Sequence, residues 1–410
     1  MSLSSAVSRA RGTIALFGPA FVAAIAYVDP GNVATNVTAG AVYGYLLVWV
    51  VVLANLMACL VQYLSAKFGL ATGATLPESL RDRLPTSGRL AYWLQAEVVA
   101  MATDLAEVLG GAIALNILFD LPLLLGGVIT AVVSTGLLLV QDRRGQRAFE
   151  RVITTLLVII AVGFFAGLFV EPPPAGAVVG GLLPAFDGAG SVLLAAGMLG
   201  ATVMPHAVYL HSALARDRHG PVAPGRQRAL LLATRYDVGL AMLLAGAINL
   251  AMLLLAATSL PGAGIDGSLT GAHDAVGRQL GSSVALLFAL ALLASGLAST
   301  AVGGYAGAVV MQGLLRRRVP LAVRRAVTLV PALVVLAAGV DPTTALVLSQ
   351  VVLSFGIPFA LVPLVLLTAR RSVMGSAVNH PATTAVAVCA ASAVVILNVA
   401  LIGQVVGLWW

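Results

Sequence analysis

The chain has 410 residues, of which 60% are hydrophobic and only 10% charged, with a formal net charge of +7. Soluble domains carry about 25% charged residues, so this composition excludes a soluble globular protein and describes a polytopic membrane protein. Arginine supplies all the positive charge except Lys67, and it sits between apolar runs, which favours membrane topology over nucleic-acid binding. The two cysteines, Cys59 and Cys389, lie inside apolar runs without disulfide or metal-site spacing.

About 20 apolar residues make one helical crossing. Counted in that way, the spans fall at 13–35, 41–66, 89–118, 122–140, 152–170, 189–214, 229–258, 276–313, 325–340, 343–368 and 382–409, eleven in all. Arg9 and Arg11 before the first run look like a signal peptide. The Asp29-Pro30 pair inside that run, with no small-residue exit after it, makes it a retained span instead. With eleven spans, arginines from Arg9 to Arg371 all fall on one side, and Asp120, Glu171, Asp187, Asp266, Asp274 and Asp341 on the other. Only Arg278 breaks the separation. The positive-inside rule then puts the N-terminus in the cytoplasm and the C-terminus, Trp410, outside.

Two runs are poor continuous helices. The first contains Asp29-Pro30-Gly31-Asn32, in which a carboxylate at a helix centre costs about 2.5–3.5 kcal/mol on insertion scales. Pro30 also lacks a backbone donor and disfavours helix at Asp29. The sixth run contains Met204-Pro205-His206. Five spans starting outward, then five starting inward, form an inverted pair, and broken helices at matching places in such halves point to a substrate site near the midplane. The halves are 1–171 and 186–371, with the Pro-rich stretch from Glu171 to Asp187 between them and an extra eleventh helix over 381–410. The whole is one transmembrane domain.

Asp29 offers a charged oxygen, Asn32 a neutral one, and Met204 a thioether, while the unwound backbone beside the prolines frees the carbonyls of Ala26 and Ala201. Mixed oxygen and sulfur ligands suit first-row transition divalents, whereas Mg²⁺ and Ca²⁺ prefer all-oxygen shells. A buried methionine is otherwise a gap-filler, and Asp29 is otherwise a cap at a helix break. Span 3 carries Glu97, Asp104 and Glu107 on one helical face. They read as a proton pathway or as a static ion-pair network with Arg324, Arg325 or Asp237, and the two overlap, since an ion-pair network lining a water-filled path can also relay protons. His206 and His211 are titratable, but their spacing of five does not form a two-His metal site. Gln350 in span 10 either bonds across helices or approaches the ion in one state, and Asn249 and Asn398 read as packing residues.

These residues spell out a family. Asp29-Pro30-Gly31-Asn32, Ala201 to His206 with Tyr209-Leu210-His211-Ser212, Met101 to Glu107 and Leu348-Ser349-Gln350 resemble the Nramp (natural resistance-associated macrophage protein) divalent metal transporters over essentially the whole chain. The resemblance implies a LeuT-like, all-helical fold with helices 1 and 6 broken, and inward symport of Mn²⁺ or Fe²⁺ with protons, extending to Co²⁺ and Cd²⁺. It assigns metal ligation to Asp29, Asn32 and Met204, with carbonyls of Ala26 and Ala201, and Gln350 as a conditional ligand. It places Glu97, Asp104, Glu107, His206, Asp237, Arg324 and Arg325 in or near the proton route. Magnesium-transporting relatives are expected to lack the span 6 methionine, which is present here. The setting implied is the bacterial plasma membrane, with metal ions, protons and lipid as partners, and no resident cofactor, nucleic acid or obligate protein partner. A sodium-coupled amino-acid carrier on the same scaffold fits a fixed anion at Asp29 poorly. A membrane hydrolase would need a His pair at helical spacing that the chain lacks, and a channel leaves two broken helices unexplained.

Overall fold

The computed structural model describes residues 18–220, 224–260, 268–317 and 319–405; Arg9, Arg11, Asp266, Arg318 and Trp410 lie outside them. Every regular element among the described residues is a helix. The first apolar run divides. Helix α1 (Pro19–Ala24) runs into a 3₁₀ turn (Ile25–Tyr27), and α2 (Pro30–Tyr43) restarts after Asp29. Asp29 adopts extended backbone, its Oδ1 accepts the Asn32 N–H at 2.8 Å, and Pro30 takes the first helical position. The residues that are costly inside a helix are thus well suited to starting one.

Helices α3 (Val48–Thr72), α4 (Leu76–Arg81), α5 (Thr86–Phe119), α6 (Leu123–Arg144), α7 (Gln146–Val170) and the short α8 (Ala175–Gly180) follow. The second divided pair is α9 (Gly188–Thr202) and α10 (Pro205–His219). Met204 is extended at the N-cap there, and Pro205 takes the first helical position, the same construction as at Asp29-Pro30. The remainder comprises α11 (Gln227–Ser259), α12 (Leu269–Leu280), α13 (Ser282–Leu315), α14 (Leu321–Ala337), α15 (Pro342–Thr368), α16 (Arg371–Met374) and α17 (Pro381–Val405). Among the described residues nine helical segments are long and apolar enough to cross a membrane, with α9 and α10 taken as one. The divided α1–α2 pair and the 17-residue α14 stand where the first and ninth spans are expected.

Two boundaries differ from the sequence reading. The first span runs on to Tyr43 instead of ending near 35, and the second helix starts at Val48. The long eighth run is two helices, because Gly281 takes φ 93° and turns the chain between α12 and α13. Hydrophobicity alone does not mark such a turn, since the glycine sits beside an uninterrupted apolar run. Arg278, the exception to the charge separation, therefore belongs to a separate 12-residue amphipathic helix.

The centre is formed by α5, which packs along α13, with α15 and α14 on its other sides; α2 and α3 pack on α11, and α10 on α3. Large apolar side chains such as Val132, Val158, Leu243, Val330 and Ile396 remain exposed on the outer helices, as expected of a surface solvated by lipid. The last long helix, α17, lies against α15 and α9.

At one end, Thr75 and Glu78 at the start of α4 line a cavity of about 470 Å³ together with Asp142, Arg216, Asp217 and Tyr305. Thr75 and Glu78 form a reciprocal capping box, and Arg216 of α10 pairs with Glu78 at 2.6 Å. Burial would raise the Glu78 carboxyl, but the Thr75 amide and Arg216 hold it below its ordinary value of 4.5. A depressed carboxylate stabilises the fold above its unfolded pKa and loses that contribution as the pH falls through the lowered value. Glu78→Gln is expected to lower the melting temperature of the detergent-solubilised protein by about 1–2 °C at pH 7, the pair being half-exposed. Melting curves recorded across pH should show the difference shrinking below pH 4.5.

Candidate functional site

The two helix breaks meet. Asn32 donates through Nδ2 to Asp29 Oδ1 at 2.6 Å and to the Ala201 carbonyl at 3.2 Å, and the Thr202 hydroxyl reaches Asn32 Oδ1 at 3.5 Å. Asp29, Asn32, Ala26, Ala201 and Met204 are all buried. The interruption of α1 also frees carbonyls, and polar side chains take them: Asn249 of α11 donates to Tyr27 O at 2.7 Å, and Ser295 of α13 to Val28 O at 2.5 Å. Asn249 in turn accepts from Asn36 of α2 at 2.9 Å, so it ties both parts of the broken helix to α11.

Asp29 Oδ2 is different. It is buried and has no hydrogen-bond partner, and neither amide atom of Gln350 has one. The two groups lie over Gly31, where an added Cβ would collide with Gln350 Nε2 and touch Asp29 Oδ2. Buried polar atoms without partners are rare and call for a ligand, ion or water. No group of three His, Cys, Asp or Glu converges among the described residues. The donors gathered over Gly31 are one carboxylate, Asp29, and one neutral amide, Gln350.

The acids of α5 take two different states. Arg324 of α14 pairs with Glu97 at 2.7 Å, and Arg325 pairs closely with Asp104. Glu107 is fully buried with no ideal hydrogen bond to either oxygen and no arginine paired to it, although the Ser299 hydroxyl, Asp104, Arg325 and Asp29 are within electrostatic reach. It stands between the ion pairs and the helix breaks. The slot that admits these groups is a stripe of α13 glycines: a Cβ at Gly307 would collide with the Arg324 guanidinium, and one at Gly303 would press on the Glu107 carboxylate. The expected ion pairs of α5 thus form with Arg324 and Arg325, while Glu107 on the same face has no arginine paired to it.

His206 is buried with both ring nitrogens unpartnered, and Asp104 is within its electrostatic reach. His211 instead bonds Gln62 at 2.6 Å, and Gln62 donates to the Tyr27 hydroxyl at 2.6 Å. Asp237 is not brought to Arg324 or Arg325. Its carboxylate accepts from the backbone N–H groups of Gly18 and Ala20, both at 3.1 Å, and so caps α1. Sequence reasoning missed Tyr27, Gln62 and Ser295, whose roles depend on which turn of a neighbouring helix they face. Polar residues in otherwise apolar runs are the only hint the sequence carries of them.

The family model described as "Natural resistance-associated macrophage protein-like" (Nramp) matches residues 20–404. The chain belongs to the Nramp family. A "Divalent metal cation transporter MntH" of Mycobacterium tuberculosis is 65% identical over 388 residues, covering 94% of this chain and 91% of that protein. The crystal structure of the Eremococcus coleocola manganese transporter superposes with a TM-score of 0.89 at 30% identity, covering 97% of this chain and 88% of that one. A nucleobase-cation-symport-1 family transporter, Mhp1, shares the fold with a TM-score of 0.62 at 17% identity, covering 96% of this chain and 93% of that one. The LeuT-like helical architecture expected for an Nramp protein is thereby borne out.

The buried pairs of α5 are expected to be sensitive to the loss of one partner, which leaves an uncompensated charge and costs about 3–5 kcal/mol. Arg325→Met should lower thermal stability in detergent sharply, and adding Asp104→Asn should recover most of the loss. Melting curves of the two variants check this.

Proposed function

We propose that this Nramp protein imports divalent transition-metal ions, Mn²⁺ and Fe²⁺ foremost, together with protons, across the bacterial plasma membrane by alternating access. The observation that carries this reading is the meeting of two helix breaks over a buried carboxylate oxygen and a buried amide that have no partner, with Met204 starting the second half-helix. The curated relatives are divalent metal cation transporters, which supports a carrier over an enzyme. The cargo ion would exchange part of its water for Asp29, Asn32 and Met204, with carbonyls of Ala26 or Ala201 and with Gln350 joining in some states. Met204 gives the site its preference for Mn²⁺, Fe²⁺, Co²⁺ and Cd²⁺ over Mg²⁺ and Ca²⁺.

The chain would make eleven crossings, with the N-terminus cytoplasmic and the C-terminus outside, and with 1–171 and 186–371 as inverted halves. A cavity of about 370 Å³ lined by Thr35, Thr38 and Gln350 is the outer approach in this arrangement. The cavity beneath α4 then lies on the inner side, and the ligand set is closed off between them. Protons would use Glu107 and His206, the buried groups without partners, with Glu97–Arg324 and Asp104–Arg325 continuing the route towards the cytoplasm. Asp237 would act beside that route as the cap of α1. An inside-negative potential adds about 2.3 kcal/mol per charge per 100 mV in favour of entry.

In proteoliposomes, Mn²⁺ uptake should saturate, speed up under an inwardly directed proton gradient and acidify the lumen. Uptake indifferent to the gradient would overturn the coupling. Asp29→Asn should abolish Mn²⁺ uptake at every concentration tested, since the only charged ligand is gone. Met204→Ala should retain Mn²⁺ uptake but admit Ca²⁺ or Mg²⁺ as competitors, and competition assays showing unchanged discrimination would remove Met204 from the selectivity role.

A further inference from the structure

Helix α15 carries two internal prolines, Pro358 and Pro363. Each lacks the N–H that would bond the carbonyl four residues earlier, which strands Ser354 O and Phe359 O. Both carbonyls are taken by side chains of other helices. Asn398 of α17 donates to Ser354 O at 3.1 Å, while Tyr209 of α10 donates to Phe359 O at 3.0 Å, joined there by Tyr92 of α5. A proline leaves a helix free to bend, and these bonds pin it on either side of the bend. Gln350 lies one turn before Ser354, on the arm whose direction the first pin sets.

Asn398 does more than cover a stray carbonyl. It is 2% exposed, and its Oδ1 is buried without a partner. A Cβ at Gly200 would meet both Ser354 Oγ and Asn398 Oδ1, so the amide also abuts the end of α9, next to the Ala201 carbonyl that Asn32 holds. One side chain on the last helix therefore lies against α9 and α15 at once, two of the elements that approach Asp29 from the second half of the chain.

We infer that Asn398 is a positioning residue of the transport site: by holding the Ser354 carbonyl freed by Pro358, it sets the bend of α15 and with it the reach of Gln350 towards Asp29. This rests on the reading of Gln350 as a group that meets the cargo ion. The last helix, outside the two halves, thereby becomes part of the affinity of the site. A neutral hydrogen bond contributes about 0.5–1.5 kcal/mol, which corresponds to roughly a fivefold change in an equilibrium constant.

The test is a set of initial-rate Mn²⁺ uptake measurements on the full chain in proteoliposomes. Asn398→Leu should raise KM about fivefold with the maximal rate little changed. A variant that merely misfolds would lose maximal rate through fewer active molecules. Pro358→Ala restores the helical N–H, so in that background Asn398→Leu should change KM less than about twofold, the signature of a coupled pair. In a Gln350→Ala background Asn398→Leu should likewise add little. Equal effects of Asn398→Leu with and without Pro358→Ala would overturn the role of the freed carbonyl. Equal effects with and without Gln350→Ala would overturn the action through Gln350. If Gln350→Ala alone leaves KM unchanged, the assignment of Gln350 to the cargo fails, and with it the route proposed for Asn398; persistence of the Pro358 coupling would show that failure to lie in the ligand assignment and not in the pin.

Discussion

A backbone carbonyl or N–H that loses its helical partner inside lipid has no water to turn to, so some other group must satisfy it. This constraint organises the molecule. At several interruptions of a long helix a specific side chain takes the freed group. Asn249 and Ser295 hold the carbonyls before Asp29, Asn32 holds that of Ala201, and Asp237 holds the first amides of α1. In α15, Asn398 and Tyr209 hold the carbonyls four residues before the prolines. Asp29 Oδ2, both Glu107 oxygens, both His206 nitrogens and both Gln350 amide atoms are among the buried polar atoms left without hydrogen-bond partners.

The charges obey a related constraint. A carboxylate deep among helices is tolerated when an arginine reaches it, and α14 supplies two in succession for Glu97 and Asp104. The guanidiniums fit only because α13 presents glycines at Gly304 and Gly307 to their shafts and heads. Glu107, one turn beyond Asp104 on the same face, receives no such partner. One helix thus carries both two ion pairs and a buried carboxyl with no arginine paired to it, and the latter lies towards the helix breaks.

Much of this was legible in the residue order. The membrane class, most helix positions and both breaks follow from composition, apolar run length and the placing of Asp29-Pro30 and Met204-Pro205. The reason is that a proline or carboxylate in a lipid-facing run has few structural solutions. The eighth run was less legible, because the turn at Gly281 depends on one residue with a positive φ beside an unbroken apolar stretch. Asp237 was grouped with the arginines on chemistry alone, whereas the packing of α11 against α1 carries it to the amides of Gly18 and Ala20.

By itself, then, the sequence determined which residues are too costly to face lipid and which helices must break, since both are local properties of the chain. Only the tertiary structure decided which of those residues end up satisfied. Asn398, unremarkable as one amide in the last helix, proves to bond Ser354 O, while the equally polar Gln350 bonds to no described group. That distinction depends on the rotation and bend of each helix relative to its neighbours, which periodicity cannot convey. It is also what separates the polar groups that tie helices together from those left without a partner.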